Sequence, residues 1–431
     1  MAKPLNSGLY QRTKVSILKN TTPMVSRQAQ LCEYMSVIVT NAKNRISYAI
    51  VKSLGQKGIN VFTSDFMPFS MAFASKYSKG HFLYPSPFED QKAFIDSIIR
   101  NIHRLNARVL IPVFEETFLI SKFKERLSKH VRMAIPDYEQ ILTTHNKDKW
   151  LPIAKKLSIP VPQSFTIAEL KNYREKIKEL HFPVLVKPKQ GGGAWGILLI
   201  NSVKELGSLF EGETYMGLPL ERFFVQEKIN GHAYCVAMLF NQGELKGQVV
   251  YRQLRDFPVS GGQATLRVSV DHPQLAGYFQ KLLTELNWHG ICQADFQVEQ
   301  ETGIPYLIDI NPRFWGSLVQ GIASKVDFPY LLYKIAIDGD VKPLNGFEKN
   351  VMTRWIGGDI RGFPHYFKQS NNKAKFIKDF FALNTGKVTY DDFDIKDPLP
   401  FLTWGIDSIR KIIKYRTLKP TTHDSLEGIW E

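Results

Sequence analysis

The sequence predicts an α/β domain with an open parallel sheet, then an α+β region, then a basic C-terminal extension. Strand-like and helix-like segments alternate over residues 37–136, which indicates βαβ units and a parallel sheet. Apolar strands joined by short polar or glycine-rich turns recur over residues 182–311, which indicates antiparallel hairpins. After residue 340 the chain becomes aromatic and basic.

The first region can be divided into individual elements. Apolar runs predict strands, and 3.6-residue periodicity predicts helices, with strands at residues 37–40, 60–63 and 108–113 and helices at 46–57, 89–105 and 116–128. Ligands of open parallel sheets bind at the carboxyl ends of strands, where Asn41 and Glu115 lie. We favour the simpler interpretation, that these two are ordinary polar strand ends.

Composition limits the class of protein. A chain of 431 residues predicts two or three domains, and 44% hydrophobic with 12% aromatic residues is typical of a packed globular protein. No apolar run approaches the length of a transmembrane helix. Cys32, Cys235 and Cys292 lack CxxC spacing, so we expect buried thiols and a cytoplasmic protein. Residues 1–34 are basic without a signal-peptide core, and we expect a poorly ordered leader.

The net charge of +15 suggests an anionic partner. No nucleic-acid motif accompanies it, so we expect no specific nucleic acid. Residues 403–415 predict an amphipathic helix that ends in basic residues: Arg410, Lys411, Lys414, Arg416 and Lys419. Such a helix fits an anionic membrane surface or a lipid-linked acceptor at the inner face of the membrane. Plain basicity without any partner is an equal alternative.

A short apolar strand, residues 306–310, ends in Asp309-x-Asn311-Pro312-Arg313. Residues two apart share a face of a strand, so the oxygens of Asp309 and Asn311 point to one place. Carboxylate and amide oxygens suit Mg²⁺ that bridges nucleotide phosphates, and an arginine suits a transferring phosphoryl group. A preceding strand, residues 290–299, places Asp295 across from Asp309. The alternative is an edge hairpin with two solvated aspartates.

A phosphate-binding segment precedes these strands. Lys187 ends a β-rich run and is followed by a loop with four glycines: Gly191, Gly192, Gly193 and Gly196. Glycines let backbone N–H groups converge on an anion, and Lys187 adds a point charge. The loop lies between two strands and lacks Gly-Lys-Ser/Thr, so it is neither a Rossmann turn nor a Walker loop. A flexible hairpin tip is the alternative.

Two further segments complete the candidate site. Residues 223–231 predict an apolar strand that ends in polar residues, where Glu227 can accept from the exocyclic amine of adenine. Residues 251–263 carry Arg255 near a Gly-Gly turn, and this arginine can hold a substrate carboxylate bidentately. An arginine on a surface loop has equal weight.

The phosphate, adenine and metal segments, in this order and spacing, resemble the ATP-grasp superfamily over residues 35–339. The run Asn311-Pro312-Arg313-Phe314-Trp315-Gly316-Ser317 resembles the carboxylate–amine ligase-like branch related to the carbamoyl-phosphate synthase large subunit. The resemblance implies a pre-ATP-grasp domain at 35–145 and a two-subdomain ATP-grasp domain at 146–340. Its ATP subdomain would span about 146–225 and its metal subdomain about 226–340, followed by the extension at 341–431.

The resemblance also implies a role for each matching position. Lys149 and Lys187 match the phosphate-side basic residues, the glycine loop matches the lid over the phosphates, and Arg313 matches the residue that meets the transferred phosphoryl group. The adenine-reading positions are Gln226, Glu227 and Ile229, and the Mg²⁺ positions are Asp295, Asp309 and Asn311. The usual ribose-binding acid after Gly231 is missing, and His232 or Tyr234 would replace it.

The implied function is an ATP-dependent ligase that joins a carboxylate to an amine through an acyl phosphate, with two Mg²⁺, or Mn²⁺ in their place. Phosphoryl transfer needs positioning and charge neutralisation rather than a protein nucleophile, and no nucleophile triad is evident in the sequence. The alternatives are a kinase-like or thiol-forming member, a nucleotide-binding regulator with little turnover, and a basic membrane- or nucleic-acid-binding protein. A homo-oligomer is compatible with each of these.

Overall fold

The computed structural model describes residues 36–172, 174–189, 196–258, 261–382 and 388–415. The predicted leader, Cys32 and the loop glycines Gly191, Gly192 and Gly193 lie outside these residues.

The first part of the chain forms a four-stranded parallel sheet with strand order β3-β2-β1-β4, as the alternating pattern predicts. Its elements are β1 (Ser36–Val39), α1 (Arg45–Gly55), β2 (Asn60–Asp65), β3 (Ser78–Leu83), α2 (Gln91–Arg104), β4 (Ala107–Ile111), α3 (Glu116–Lys122), α4 (Lys124–Leu127) and α5 (Tyr138–His145). The predicted helix 116–128 divides at Phe123, and β3 was not predicted.

Local chemistry explains these boundaries. The Asn44 side chain accepts from the backbone N–H of Ile46 and caps α1, and Asp90 accepts from Ala93 and caps α2. Each cap satisfies a backbone donor that the helix leaves free. Strand β3 lies at the sheet edge and alternates between exposed and covered positions with few apolar residues, so it lacks the apolar run that identifies its neighbours.

The next part forms a four-stranded antiparallel sheet with order β5-β10-β6-β7. Its elements are α6 (Lys147–Lys156), β5 (Ser164–Thr166), α7 (Ile167–Asn172), β6 (Val184–Pro188), β7 (Leu198–Ile200), α8 (Val203–Phe210), β8 (Thr214–Tyr215), β9 (Leu218–Pro219) and β10 (Phe223–Glu227). Helices α7 and α8 contribute Leu170 and Leu206 to its core.

The largest sheet has seven strands in the order β15-β14-β11-β12-β13-β16-β17. Its strands and the helices between them are β11 (Gly231–Asn241), β12 (Glu244–Phe257), β13 (Gln263–Ser269), α9 (Pro273–Glu285), β14 (Gly290–Glu299), β15 (Pro305–Asn311), α10 (Leu318–Ala323), α11 (Phe328–Asp338), β16 (Met352–Arg354), α12 (Ile356–Gln369), α13 (Lys373–Ala382), β17 (Val388–Tyr390) and α14 (Leu399–Tyr415).

Strand β11 shows how this sheet separates two cores. Cys235, Ala237 and Leu239 face the core shared with α1, α10 and α11, whereas the alternate residues face α6 and α9. Gln242 and Gly243 form the tight turn to β12 with φ of 49° and 83°. Positive φ at both positions is what a two-residue hairpin turn requires, and this turn is one of the short polar or glycine-rich turns expected between the strands of residues 182–311.

The C-terminal residues are part of the same sheet. Strand β16 pairs with β13, and β17 pairs with β16. Buried charges reinforce this join, since Asp391 is paired with Arg267 of β13 and lies 3.6 Å from Arg45 of α1. The predicted boundary at residue 340 stays a prediction, but the sheet crosses it.

Candidate active site

A cavity of about 350 Å³ lies between the antiparallel sheet of β6 and β10 and the large sheet. Most of the predicted site residues line it, although they come from four segments of the sequence. They are Lys187, Gln226, Glu227, Ile229, Asp295, Asp309, Asn311 and Arg313. A cavity of this volume is within the range that holds small-molecule ligands.

The acidic side of the cavity is built by the β14–β15 hairpin. Asp295 is paired with Asp309 across the two strands, and Gln293 is paired with Asn311, as the strand alternation predicts. Asn311 Nδ2 donates to Asp295 Oδ2 at 3.2 Å and to Gln293 Oε1 at 2.7 Å. Burial, and then the charge of Asp309, raise the pKa of Asp295. A cation beside the two carboxylates would favour the charged form of both.

The basic side is formed by two buried lysines. Lys187 Nζ donates to Gln226 Oε1 at 2.8 Å, and Lys147 Nζ lies 2.9 Å from Asp309 Oδ1. Burial, and then the charge of Lys147, lower the pKa of Lys187 to about 8. Two ammonium groups confined beside one cavity favour an anion between them.

Arg313 lies next to the acidic pair. It is buried, with its guanidinium 4.3 Å from the ring centre of Phe114. Burial lowers the pKa of Arg313, and the charges of Glu115, Asp309 and Asp295 oppose that shift. Glu115, which is buried shortly after β4, therefore interacts electrostatically with Arg313.

The predicted adenine-reading positions lie at the end of β10 and just after it. Gln226 is buried and donates from Nε2 to Ser164 at 3.0 Å. Glu227 Oε1 accepts from the backbone N–H of His181 at 3.2 Å, so one of its oxygens is already engaged. Of the two expected substitutes for the ribose-binding acid, Tyr234 lines the cavity and His232 is not among the lining residues.

Among the residues that the structure describes, three predicted site residues do not line the cavity: Lys149, Arg255 and Gly196. Lys149 is exposed on α6, and Lys147, two residues earlier, lies there in its place. Arg255 is paired with the buried Asp359 at 2.7 Å. The alternation from Tyr251 and Gln253, which do line the cavity, is broken by shifts in strand register on both sides of Arg255. These bulges turn Asp256 towards the cavity instead.

Gly196, the last glycine of the predicted loop, is buried with φ of 68°, and Ile197 after it lines the cavity.

The sequence interpretation missed Lys147, Gln293 and Cys235 as site residues. Cys235 Sγ donates to Asp295 Oδ1 at 3.1 Å, and Gln293 Nε2 donates to the same oxygen at 2.8 Å. The position of Gln293 two residues before Asp295 was the available signal, because both share one face of β14.

The donor set fits a magnesium nucleotide. Asp295, Asp309 and the amide of Asn311 are the oxygen donors that Mg²⁺ prefers, and the crowded acids gain from a cation. Lys147 and Lys187 are placed for phosphates. Among the residues that the structure describes, no group of three or more His, Cys, Asp or Glu side chains could hold a metal.

Comparison with known proteins supports a nucleotide-binding site of the ATP-grasp type. Residues 220–358 match the family described as ATP-grasp in the biosynthetic pathway with Ter operon. The carbamoyl phosphate synthase large chain of Methanothermobacter thermautotrophicus is 24% identical over 313 residues, 62% of this chain and 29% of that one. The chain spans less than a third of the length of the first curated relatives that it matches.

Two solved structures show the same fold. The biotin carboxylase domain dimer of Hydrogenobacter thermophilus 2-oxoglutarate carboxylase, in complex with MgADP, ADP and bicarbonate, has a TM-score of 0.60, 14% identity and coverage of 73% of each chain. An L-amino acid ligase from Bacillus licheniformis has a TM-score of 0.55 and 16% identity, and covers 72% of this chain and 77% of that one.

The fold is that of ATP-grasp proteins, so the predicted fold class is confirmed. Residues 220–358 match an ATP-grasp family model, and the chain is similar to carbamoyl phosphate synthase large chains, as the resemblance in the sequence implies.

Proposed function

We propose that this chain is an ATP-dependent ligase that forms a carbon–nitrogen bond between a carboxylate and an amine. One observation carries the proposal: two buried lysines, two facing aspartates and a buried arginine converge on one cavity. That set provides charge on several sides of a transferring phosphoryl group.

The reaction has two steps. A carboxylate oxygen of the substrate attacks the γ-phosphorus of ATP, the bond to ADP breaks, and an acyl phosphate forms. The amine then attacks the acyl carbon, phosphate leaves, the amine loses a proton, and an amide results. Arg313 stabilises the negative charge on the phosphoryl group in the transition state of its transfer, because a cation already held in place does so without reorganisation of the site.

Binding is divided between the two sheets. Lys147 and Lys187 hold the phosphates, and the end of β10, with Gln226, Glu227 and Ile229, holds the adenine. Asp295, Asp309 and Asn311 would hold Mg²⁺, two ions in our proposal or Mn²⁺ in their place, which neutralises the phosphate charge. Such positioning accounts for most of the rate enhancement in phosphoryl transfer.

The proposal extends to the substrates, the oligomeric state and the cellular location. The relative named an L-amino acid ligase supports an amino acid as one substrate, and the dimeric neighbour supports a homo-oligomer. We place the reaction in the cytoplasm, with a membrane surface or a lipid-linked acceptor as the expected partner of the basic C-terminal helix. Among the described helices, none is both long and apolar enough to cross a membrane.

The test is ADP release from ATP and Mg²⁺ with pooled carboxylates and amines, comparing the wild type with Asp309→Ala. We expect stimulation by one acid-plus-amine pool in the wild type and none in the variant, which should keep its fold. Nucleotide binding without stimulated release by any pool would favour a regulator. Stimulation by a pool of alcohols or thiols alone would favour a kinase-like or thiol-forming member.

A further inference from the structure

Large apolar side chains are unusually exposed on α14. Five of them follow one another at intervals of three and four residues, and each is more than half exposed: Leu399, Leu402, Ile406, Ile409 and Ile413. Intervals of three and four place side chains on one face of a helix. We call these five residues the α14 stripe. Scattered exposed apolar residues are ordinary, whereas a continuous stripe marks an interaction surface.

The opposite face of α14 fixes the helix to the protein. Trp404 packs against the core shared with α1, and Arg361 of α12 lies 5.3 Å from its ring centre. Asp397, just before the helix, is buried and accepts from Ser75 Oγ at 2.6 Å and from the backbone N–H of Lys76 at 3.0 Å. The helix therefore lies flat along the protein with the α14 stripe facing outwards.

The surroundings of the α14 stripe extend it and add positive charge. The guanidinium of Arg410, itself exposed, lies 4.1 Å from the ring centre of Phe69, and that ring is also more than half exposed. Over residues 399–419 the sequence has five basic residues and one acidic residue, Asp407. An outward apolar face combined with basic residues is the pattern of a helix that lies in a membrane interface.

A second copy of the chain fits this surface less well. Parallel pairing of two such helices would cover the apolar residues but bring the two basic C-terminal ends together, and antiparallel pairing would lay each basic end against the apolar Leu399 end of the other helix. An anionic lipid surface accommodates both features. A helix of 17 residues is about 25 Å long, and its apolar residues occupy one side, so it suits lying in the interface.

We propose that α14, together with Phe69, docks the protein on an anionic lipid membrane, with the α14 stripe inserted at the boundary between headgroups and acyl chains. Docking does not depend on turnover. Its consequence, that the ligase acts on a carboxylate or amine presented at a membrane, rests on the proposed function.

The experiment measures flotation of the full chain, without nucleotide, with vesicles of phosphatidylcholine alone or mixed with phosphatidylglycerol. The wild type should bind the anionic vesicles about 10-fold more than the neutral ones. Ile406→Glu combined with Ile409→Glu should reduce that binding by about 10-fold or more. The control, Val203→Glu, changes an equally exposed aliphatic residue on α8 and should bind as the wild type does.

Several results would overturn the proposal. They are absence of wild-type binding to anionic vesicles, equal binding to both kinds of vesicle, and unchanged binding by the double variant. A wild-type dimer in light scattering that the double variant converts to a monomer would assign the α14 stripe to a second copy. Thermal unfolding confirms that each variant is folded. Because ATP is absent, a failure of docking leaves the ligase proposal untouched, and a failure of the ligase assay leaves docking untouched.

Discussion

The choice between Lys147 and Lys149 gives the sharpest test of the site. Lys147→Met keeps the apolar stem of the side chain and removes its charge. At 2.9 Å from Asp309 Oδ1, and with an effective dielectric constant near 20, the attraction is about 6 kcal/mol before desolvation. Asp309 remains partly exposed, so hydration of the separated charges offsets most of this attraction. We expect loss of a charge-stabilising donor to lower turnover by about 100- to 1000-fold, that is, by about 3–4 kcal/mol.

The matched control is Lys149→Met, two residues along the same helix and exposed. We expect its nucleotide affinity and its ADP release to stay within about 2-fold of the wild type, as for an exposed charge. Calorimetric titration with MgATP and the ADP-release assay would be run on both variants. If Lys149→Met were the impaired variant, or if both behaved as the wild type, the assignment of Lys147 to the phosphates would be refuted.

Three further changes test other parts of the structure. Burial, and then the charge of Asp65, raise the pKa of Glu116 from 4.5 to about 7. Between these two pH values the folded chain keeps a proton on Glu116 that the unfolded chain releases. The contribution of Glu116 to the free energy of unfolding is therefore present below about pH 4.5 and lost by about pH 7. The loss amounts to about 3 kcal/mol. In urea unfolding, the free energy of unfolding should decrease less from pH 5 to pH 8 for Glu116→Gln than for the wild type. Equal decreases would contradict the raised pKa of Glu116. Asp391→Asn leaves Arg267, which is fully buried, without its charge partner and should cost about 3–5 kcal/mol in the same assay; a loss below 1 kcal/mol would refute that role. Gly316→Ala puts a Cβ 2.7 Å from Arg45 Nη2 and 3.0 Å from Gln263 Oε1, so it should keep the fold but lower ADP release by about 10- to 100-fold, and unchanged release would show that these side chains move aside freely.

The acidic half of the site was predictable because strand geometry is regular. Alternation placed Asp309 and Asn311 on one face, and the preceding strand placed Asp295 across from Asp309, as the observed register confirms. A period of two residues decides the direction in which a strand side chain faces.

The remaining positions depend on contacts distant in sequence. Whether Lys147 or Lys149 faces the cavity depends on how α6 docks, and its start is held by a hydrogen bond from the backbone N–H of Lys147 to the carbonyl of Lys189. The register shifts on both sides of Arg255 turn its side chain away from the cavity, and a single sequence does not reveal such bulges. The pairing of β16 with β13 likewise joins segments about 90 residues apart.

Activation of a carboxylate as an acyl phosphate can be detected by trapping the intermediate with hydroxylamine. The wild type, MgATP and a pool of carboxylates would be incubated with hydroxylamine in place of the amine. We expect a hydroxamate that forms in proportion to ADP and is absent with Asp309→Ala. ADP released in step with the carboxylate pool, but with no hydroxamate, would contradict activation as an acyl phosphate.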